Sequence, residues 1–301
     1  MPWLSLFAAA LGLQMAGSGA TLLITLPGAA QPAIEVIFPE HVTALPHGHA
    51  AAEHLYLERP GDAPAWRRSA NTMEYERDLA RGVHMLARAT LQDDGVLFRY
   101  EFTNRSAVAY DMIYAVTDPR MAPPFRDVRL ERTYVHHPDG FAPLAETPVR
   151  PSSRYLASYR WPVPSPLVQR GEDGITHYNK SRKVDEPFIA TLSTDRQWVV
   201  ASFARDAGNV WSNPELTCQH VDPQAPLAPF GRAVLEVKIL VMRGSLDDAL
   251  RRERRQRAAL EDDSFHCRRS RWRASVGARR CLSARSAAVP AAGPAASAPP
   301  P

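Results

Sequence analysis

One short segment of the chain, residues 209–223, collects side chains that could bind or transform a small molecule. It contributes an indole, an amide, a thiol, an imidazole and a carboxylate, from Trp211, Asn213, Cys218, His220 and Asp222. A histidine near a carboxylate is a common pair for general acid–base catalysis. An aromatic face beside a few polar groups is typical of a ligand pocket. We therefore take this segment as the centre of the candidate site.

A pair of adjacent histidines, His136 and His137, follows a strand-like run and could complete that site. Neighbouring side chains of a strand point to opposite faces, so only one of the two can reach a common site. We predict His136, His220 and Asp222 as the catalytic residues. The sequence indicates no cofactor, but the same three side chains could instead hold a divalent metal with one open position.

The proline-rich region 141–187 interleaves aromatic residues with cations, so we expect it to border the cleft. Such a long loop in a compact domain is usually functional or disordered, and the aromatic content argues against disorder. Arginine matches a carboxylate through two parallel hydrogen bonds, which favours acidic saccharides. The predicted ligand-binding residues are Trp211, Asn213, Tyr159, Trp161, Tyr178 and Arg182.

Each of these residues also has a purely structural interpretation. Trp211 and His220 could fill the core, and Asn213 and Asp222, each followed by proline, could simply form turns. Cys218 could be a small buried hydrophobe, because a catalytic thiol needs a base beside it in space, which adjacency in sequence does not provide. We interpret the stretch with His41, His47, His49 and His54 as a surface loop.

Two hairpins dominate the predicted architecture. Residues 83–91 and 96–104 flank Asp93-Asp94-Gly95, and in the second run Phe98, Tyr100 and Phe102 alternate with polar residues, as in a strand with one buried face. Residues 187–193 and 197–204 form the second hairpin, and residues 232–242 read as one long strand. These patterns predict an all-β fold, an antiparallel β-sandwich or its larger supersandwich variant.

The sequence predicts one helix and one disordered segment, both late in the chain. Ser245 is a good N-cap, and Asp247 and Asp248 lie where the helix dipole favours acids. From about Ser264 the chain turns to Arg, Ser, Ala and Pro, a composition that cannot bury enough apolar surface to fold. The expected organisation is a leader at 1–30, a β-sandwich domain at 31–262 and a disordered tail at 263–301.

The leader is a signal peptide or an N-terminal anchor. Residues 4–16 form an apolar run shorter than the roughly 20 residues of a membrane span, and small residues follow at Ala20 and Ala30. The usual positive residues before the run are missing. We expect a periplasmic or secreted protein without a transmembrane span after cleavage.

Composition excludes some classes of partner and chemistry. The chain of 301 residues has a formal net charge of +4, with 36 Lys and Arg against 32 Asp and Glu, but its arginines crowd into the tail. A mildly acidic body with a basic tail argues against a nucleic-acid-binding domain. Three cysteines do not make a disulfide framework. Phosphate-binding glycine loops and serine-hydrolase elbows are missing from the sequence.

The pattern of short strands resembles uncharacterised exported bacterial β-sandwich proteins and, more distantly, the galactose-mutarotase-like carbohydrate-processing fold. The resemblance is carried by residues 98–104, 132–136 and 211–214, and it spans roughly residues 53–250. It implies a β-sandwich that handles sugars. Because mutarotase-like histidine and acid motifs have no equivalent in this sequence, no catalytic residue is transferred.

The sequence therefore predicts an exported carbohydrate-binding protein that favours acidic saccharides. The first alternative is a carbohydrate-active enzyme, epimerase- or lyase-like, that uses His220 and Asp222 as acid and base or as metal ligands. The second alternative is a purely structural module. The expected partner is a carbohydrate rather than nucleic acid, and the oligomeric state is left open.

Overall fold

A computed structural model describes most of the chain. It covers residues 12–19, 21–59, 61, 63–146, 155–160, 167–170 and 176–260. The tail expected at 263–301 and the residue Trp161 lie outside the described residues.

The described chain is built almost entirely of β-strands, followed by one α-helix. In chain order the elements are β1 (Gln14–Ser18), β2 (Thr21–Thr25), β3 (Ile34–Ile37), β4 (His41–Pro46), β5 (Glu53–Leu57), β6 (Arg67–Arg68), β7 (Thr72–Asp78), β8 (Val83–Gln92), β9 (Gly95–Asn104), β10 (Tyr110–Ala115), β11 (Asp118–Met121), β12 (Thr133–His137), β13 (Gly140–Pro143), β14 (Tyr155–Arg160), β15 (Leu167–Arg170), β16 (Thr176–Asn179), β17 (Phe188–Leu192), β18 (Trp198–Ala204), β19 (Asn209–Trp211), β20 (His220–Val221), β21 (Gln224–Leu227), β22 (Arg232–Arg243) and α1 (Leu246–Arg257).

One large sheet organises these elements. Its nine strands run in the order β13-β12-β17-β18-β22-β9-β8-β7-β6. Three smaller sheets have the orders β1-β2-β3-β11 (first small sheet), β21-β10-β4-β5 (second small sheet) and β15-β16-β14-β19-β20 (third small sheet). The strands are paired antiparallel, with the exception of the parallel pair β14 and β16. The predicted all-β sandwich with one late helix is confirmed.

Both predicted hairpins form the centre of the nine-stranded sheet. β8 and β9 pair from Val83 with Asn104 to Gln92 with Gly95, and β17 pairs with β18. The alternating aromatics of β9 are fully buried. Gly95 of the Asp-Gly turn has a φ of +148°, which other residues rarely adopt. A Cβ at this position would also lie only 2.0 Å from the Ile239 carbonyl oxygen. Glycine is therefore required where β9 passes β22.

The nine-stranded sheet is buried on both faces at β17, β18 and β22, whereas β7 and β8 bury one face and carry partly exposed charged residues such as Glu76 and Arg88 on the other. On one face its side chains pack against the small sheets in two clusters, the larger including Phe98, Tyr100 and Ile239 and the smaller including Ile189 and Ala204. We call this side the small-sheet face. A third cluster on the opposite side packs against α1, and we call that side the helix face. Alternation along each strand sends successive residues to the two faces.

The helix begins at the predicted N-cap and is longer than its apolar pattern indicates. Ser245 and Asp248 form a reciprocal capping box, each bonding the other's backbone N–H. Although apolar periodicity fades after Leu250, the helix continues to Arg257. Its last turn carries Arg254 and Arg257, which pair with Glu186 just before β17, a contact that periodicity alone cannot indicate.

Two parts of the chain differ from expectation. The predicted domain starts at residue 31, but β1 and β2 belong to the first small sheet, and Leu22, Ile24 and Leu26 lie in its core. The region 141–187, read as an irregular loop, contains β13 to β16. Short strands between prolines are hard to recognise because proline is tolerated at sheet edges. No helix of the described chain is long and apolar enough to cross a membrane.

Candidate functional site

The position of His220 is set by the residue before it. The buried side-chain amide of Gln219 donates to the Thr191 hydroxyl at 2.9 Å and to the Val200 carbonyl at 3.0 Å, and its oxygen accepts from Ser202 at 2.9 Å. All three partners lie on the nine-stranded sheet. Because every polar atom of the amide is satisfied, this network fixes the start of β20 against the small-sheet face.

The loop of residues 212–219 that leads to His220 is tightly folded and strained. Thr217 has a φ of +51°, an outlier for a β-branched residue, and its hydroxyl accepts the backbone N–H of Asp127 at 2.8 Å. The Asn213 side chain accepts from the Glu215 N–H at 3.0 Å, which closes a turn. Strain of this kind persists only where the surroundings hold it in place, and it recurs at functional sites.

Strand β11 runs beside this loop and brings an acid to the histidine. Met121 donates its N–H to the Leu216 carbonyl at 3.2 Å, and Gln219 donates its own to the Pro119 carbonyl at 3.3 Å. Continuing that antiparallel pairing by one residue places Asp118 opposite His220. The contact joins positions about 100 residues apart in sequence, so local patterns could not reveal it.

Asp118, Cys218, His220 and Asp222 form what we call the buried cluster. Their exposures are 1%, 1%, 1% and 5%. His220 Nε2 lies 3.0 Å from Cys218 Sγ and 3.4 Å from Asp118 Oδ1. On the other side of the ring, Nδ1 lies 3.9 Å from Asp222 Oδ1. The imidazole thus stands between a thiol and two carboxylates.

Trp211 covers the buried cluster. Its ring stacks on the His220 imidazole with centroids 3.8 Å apart and planes 7° from parallel. Its indole N–H donates to Asp222 Oδ2 at 3.2 Å. The side chain remains partly exposed, so the indole is an oriented aromatic surface at the edge of the core. We call it the Trp211 platform.

Two side chains of the buried cluster have raised pKa values. Burial alone would lower the pKa of His220, but the neighbouring Cys218, Asp118 and Asp222 raise it to about 10. Burial raises the pKa of Asp222, against the attraction of His220. Opposite charges favour the ionised imidazole more than burial disfavours it.

The second small sheet carries a row of polar side chains near the buried cluster, since His220 affects the pKa of His41 and Asp222 affects that of Tyr114. Thr43 on β4 stands opposite Tyr114 of β10 and His54 of β5. Its hydroxyl lies 2.9 Å from His41 Nδ1 and 2.8 Å from His54 Nδ1. Alternate residues such as Val42 point the other way, into the core. We call His41, Thr43, His54 and Tyr114 the polar row.

An arginine links the buried cluster to the surface. Arg120 donates to Asp118 Oδ2 at 2.6 Å, and it lies 3.6 Å from Glu40 Oε1. Burial and the nearby Asp118 raise the pKa of Glu40. Burial and the neighbouring His54 lower the pKa of His41 to about 4, so His41 is neutral at pH 7. A carboxyl with a raised pKa and a neutral imidazole therefore lie near the buried cluster.

A second cation borders the platform from β14. Ser158 pairs with Trp211 and Arg160 pairs with Asn209, so Arg160 and Trp211 share one face of the third small sheet. Arg160 is exposed, and its charge lowers the pKa of Asp222 against the larger effect of burial.

Known structures with a similar fold are distant. No family model matches the chain, and no curated protein matches its sequence. The galactose mutarotase related enzyme from Lactobacillus acidophilus has a TM-score of 0.43 at 8% identity, over 78% of this chain and 98% of that one. A galactose mutarotase-like protein from Lactobacillus casei has a TM-score of 0.41 at 9% identity, over 77% and 100%. A polysaccharide lyase has a TM-score of 0.37 at 12% identity, over 80% and 34%.

The weak similarity to galactose-mutarotase-like proteins that the sequence indicates is also found among solved structures. It says nothing about a ligand or a reaction of this chain. What the site binds must be argued from its own residues.

His136 does not join the candidate site. On β12, Val135 belongs to the core of the small-sheet face, whereas Tyr134 packs in the cluster of the helix face. His136 follows the alternation of Tyr134, contacts Phe141 edge to face at 4.7 Å and pairs with Asp185 at 2.6 Å. The expected meeting of His136 with His220 and Asp222 is therefore not found.

Two predicted ligand-binding residues have structural partners. Tyr159 is 2% exposed, packs in the core of the small-sheet face and accepts from Lys180 at 3.1 Å. Arg182 is exposed and donates to Asp139 at 2.9 Å, near the end of β12. Asn213 is buried and forms the turn described above. Trp161 and the side chain of Tyr178 lie outside the described part of the chain.

Much of the polar surroundings of Trp211 could not be recognised from local sequence patterns. Asp118, Arg120 and Glu40 stand in no predicted site motif, and His41 belongs to the stretch predicted as a surface loop. The spacing His41-x-Thr43, with imidazole and hydroxyl on one strand face, was the available signal. Cys218 and His220 are also alternate residues, and they do pair in space at 3.0 Å.

The ligands for a metal differ from those expected. The trio His136, His220 and Asp222 does not assemble, whereas one ligand atom each of Asp118, Cys218 and His220 lies within 4.8 Å of the others. It is the one such group of three among the described residues.

Proposed function

We propose that the protein binds a carbohydrate on the Trp211 platform, and that it favours acidic saccharides. The observation that carries this proposal is the partly exposed indole of Trp211, held flat on His220 and anchored by Asp222. The apolar C–H face of a sugar ring stacks on such a surface. Because the indole is already fixed, little entropy is lost when a ligand stacks on it.

The polar row supports the same assignment. A sugar presents a ring of hydroxyl groups, each able to donate and accept a hydrogen bond. His41, His54 and Tyr114 offer donors and acceptors on one face of the second small sheet, near the buried cluster that Trp211 covers. An aromatic surface with a few convergent polar groups is the usual composition of a small-molecule site.

The preference for acidic saccharides depends on different cations from those first expected. Arg182 is engaged by Asp139, away from the platform. Arg160 is exposed on the same face as Trp211, and Arg120 lies at the edge of the buried cluster. A uronic-acid carboxylate beside the stacked sugar would find the guanidinium of Arg160, which can bind it through two hydrogen bonds.

Calorimetric titration tests the proposal. We would titrate the full chain with an oligogalacturonate and with a neutral galacto-oligosaccharide, in parallel with Trp211→Leu and Trp198→Leu variants. Trp198 is a matched control, because it is also partly buried but its ring contacts Arg243 of β22 instead of stacking on His220. We expect binding by the wild type and the control, and at least a tenfold loss in Trp211→Leu, since aromatic anchors carry about 2 kcal/mol or more. Equal affinity of the two variants would refute the site.

An acid–base reaction on the bound sugar is the second candidate. The partly buried Glu40 and His41 lie near the buried cluster, one with a raised and one with a lowered pKa. Groups whose environments separate their pKa values in this way are suited to acid and base roles. His220 and Asp222, the pair proposed from sequence, are buried too deeply to touch a substrate. Epimerase and lyase assays on the same sugars, with His41→Gln, decide between binding and turnover.

We also propose that the protein is exported, on the strength of the apolar run at residues 4–16. Leu22 and Ile24 lie in the core, so cleavage after Ala20 keeps β2 whereas cleavage after Ala30 removes it. Export predicts a mature N-terminus at or before Thr21 in the periplasmic or secreted fraction. N-terminal sequencing of that fraction checks it, and recovery of the uncleaved chain in the cytoplasm would contradict it.

A further inference from the structure

The buried cluster contains three side chains of the types that bind zinc. A thiolate, an imidazole and a carboxylate are the standard zinc donors, and Cys218, His220 and Asp118 supply one of each. Calcium and magnesium prefer an all-oxygen set, which this is not. The donor set therefore selects a borderline transition-metal ion.

The spacing of the three donor atoms fits a single ion. Zinc bonds of about 2.0 Å to nitrogen and oxygen and about 2.3 Å to sulfur place tetrahedral ligands roughly 3.3–3.8 Å apart. His220 Nε2 lies 3.0 Å from Cys218 Sγ and 3.4 Å from Asp118 Oδ1, and all three atoms lie within 4.8 Å of one another. Small adjustments would bring them onto one ion.

The surroundings of these atoms are those of a metal site. Arg120 holds Asp118 Oδ2 at 2.6 Å, which leaves Oδ1 directed at the histidine. The far nitrogen of His220 faces Asp222 at 3.9 Å, the arrangement in which a carboxylate orients a metal-bound imidazole. The Asn213 N–H donates to Cys218 Sγ at 3.2 Å, as it would to a bound thiolate.

Unpartnered atoms give a second, independent indication. Asp118 Oδ1 and His220 Nδ1 are buried and make no hydrogen bond. An unsatisfied buried polar atom costs about 1–3 kcal/mol, so native proteins rarely keep several together without a ligand. A bound ion would be coordinated by Asp118 Oδ1. It would also strengthen the contact between His220 Nδ1 and Asp222, because metal binding polarises the imidazole.

We propose that Asp118, Cys218 and His220 bind one zinc ion. The ion ties β11 to the loop of residues 212–219 and fixes the imidazole on which Trp211 stacks. Three protein ligands leave a fourth position for a water molecule. Because the donors are only about 1% exposed, the role is to stabilise the platform rather than to act on a substrate.

A reactive cysteine is the competing interpretation of the same atoms. Cys218 and His220 have the separation of a nucleophile and its base. A nucleophile must reach its substrate, however, and Cys218 is 1% exposed beneath Trp211 and His220. Burial of all the donors favours a closed metal site.

The test uses the full chain carrying Cys267→Ser and Cys281→Ser, so that Cys218 is the sole thiol. After dialysis against zinc and removal of excess, we expect one zinc per chain by elemental analysis. Cobalt substitution should give a thiolate-to-cobalt charge-transfer band in the near ultraviolet. That band requires the Cys218 thiolate as a ligand, so it distinguishes this site from cobalt bound by the histidines of residues 41–54.

Variants complete the test. Cys218→Ser should lose the ion and the band, whereas His136→Ala, which alters a histidine on the other face, should keep both. Asp222→Asn keeps all three ligands and should weaken zinc affinity roughly 10–100-fold, the usual effect of losing a carboxylate partner. Circular dichroism shows whether each variant is folded. A folded wild-type background without stoichiometric zinc, or without the cobalt band, overturns the proposal, and so does metal retained by folded Cys218→Ser.

Discussion

The two faces of the nine-stranded sheet bury charge in different ways. On the helix face, Glu186 receives Arg254 at 2.7 Å and Arg257 at 2.5 Å, and Lys238 pairs with Asp94 at 2.9 Å. His136 pairs with Asp185 there. On the small-sheet face, the buried cluster places one imidazole among a thiol and two carboxylates and leaves Asp118 Oδ1, His220 Nδ1 and Asp222 Oδ1 without hydrogen bonds.

This difference indicates that the charges of the helix face serve packing, whereas those of the small-sheet face belong to a functional site. The ion pairs of the helix face fasten α1 to the sheet, since each arginine meets an acid across that boundary. Both faces keep buried polar atoms without hydrogen bonds, including both carboxyl oxygens of Glu253 on the helix face, but on the small-sheet face they lie beside a strained Thr217 and an oriented indole. Each of these features lowers the stability of the fold. Several such features close together are expected at a site that binds a ligand or an ion.

The largest expected effect comes from removing the first small sheet's outer strands. A chain that starts at residue 31 loses Leu22, Ile24 and Leu26, each worth about 1.5–3 kcal/mol of buried apolar surface. We expect it to be unfolded by circular dichroism, whereas a chain that starts at Gly12 melts cooperatively. Cooperative melting of the shorter chain within a few degrees of the longer one would show that β1 and β2 are dispensable.

Replacing one histidine on each face compares the two sites directly. His220→Ala leaves the buried side chains of Asp118, Cys218 and Asp222 without the imidazole between them and removes the support of Trp211, so we expect a loss of about 3–5 kcal/mol in unfolding free energy. His136→Ala should cost about 1 kcal/mol or less, because its ion pair reaches solvent. Urea unfolding measures both, and equal losses would remove the distinction between the faces.

The helix face predicts a pH dependence through Glu253. Burial raises the pKa of its fully buried carboxyl to about 7, despite Arg257 at 2.6 Å. A raised folded-state pKa means that this group's stabilisation is complete below pH 4.5 and is lost as the pH rises through 7. Relative to Glu253→Gln, the wild type should lose roughly 1–3 kcal/mol between pH 4 and 8. Parallel urea curves across that range would contradict the assignment.

The smallest effect is expected at Lys238. Its partner Asp94 also accepts from Arg252 at 2.8 Å and from Gln256 at 2.7 Å. Lys238→Met therefore leaves the acid paired, and replacing a buried ion-pair member with a hydrophobic residue is often neutral. We expect a change in unfolding free energy within about 1 kcal/mol. A loss as large as that of His220→Ala would mean that the helix face also depends on one charge.

Local patterns in the sequence were sufficient for the central hairpins but not for the site. Period-two alternation and the Asp-Gly turn specify β8 and β9, and the serine cap specifies the start of α1. The site depends on pairings between distant strands, such as β11 beside residues 216–219. Local periodicity contains no information on which strands are neighbours, so the approach of Asp118 to His220 could not be predicted.

The candidate residues divide in the same way. Trp211, His220 and Asp222 were recognised because they share one segment, and their mutual contacts follow from the short pairing of β19 with β20. His136 was predicted as a catalytic residue only because it is a histidine at the end of a strand-like run. Its place on the helix face follows from the register of β12 with β17, which only the sheet order decides.

The central claim is that the small-sheet face carries the ligand site, and hydrogen–deuterium exchange on binding tests it most directly. On saturation with an oligogalacturonate that calorimetry shows to bind, we predict slower exchange in peptides covering residues 40–57 and 209–222. Peptides covering residues 133–143 and 246–257 should be unchanged. Protection confined to the second pair of peptides would place the ligand on the helix face and contradict the account.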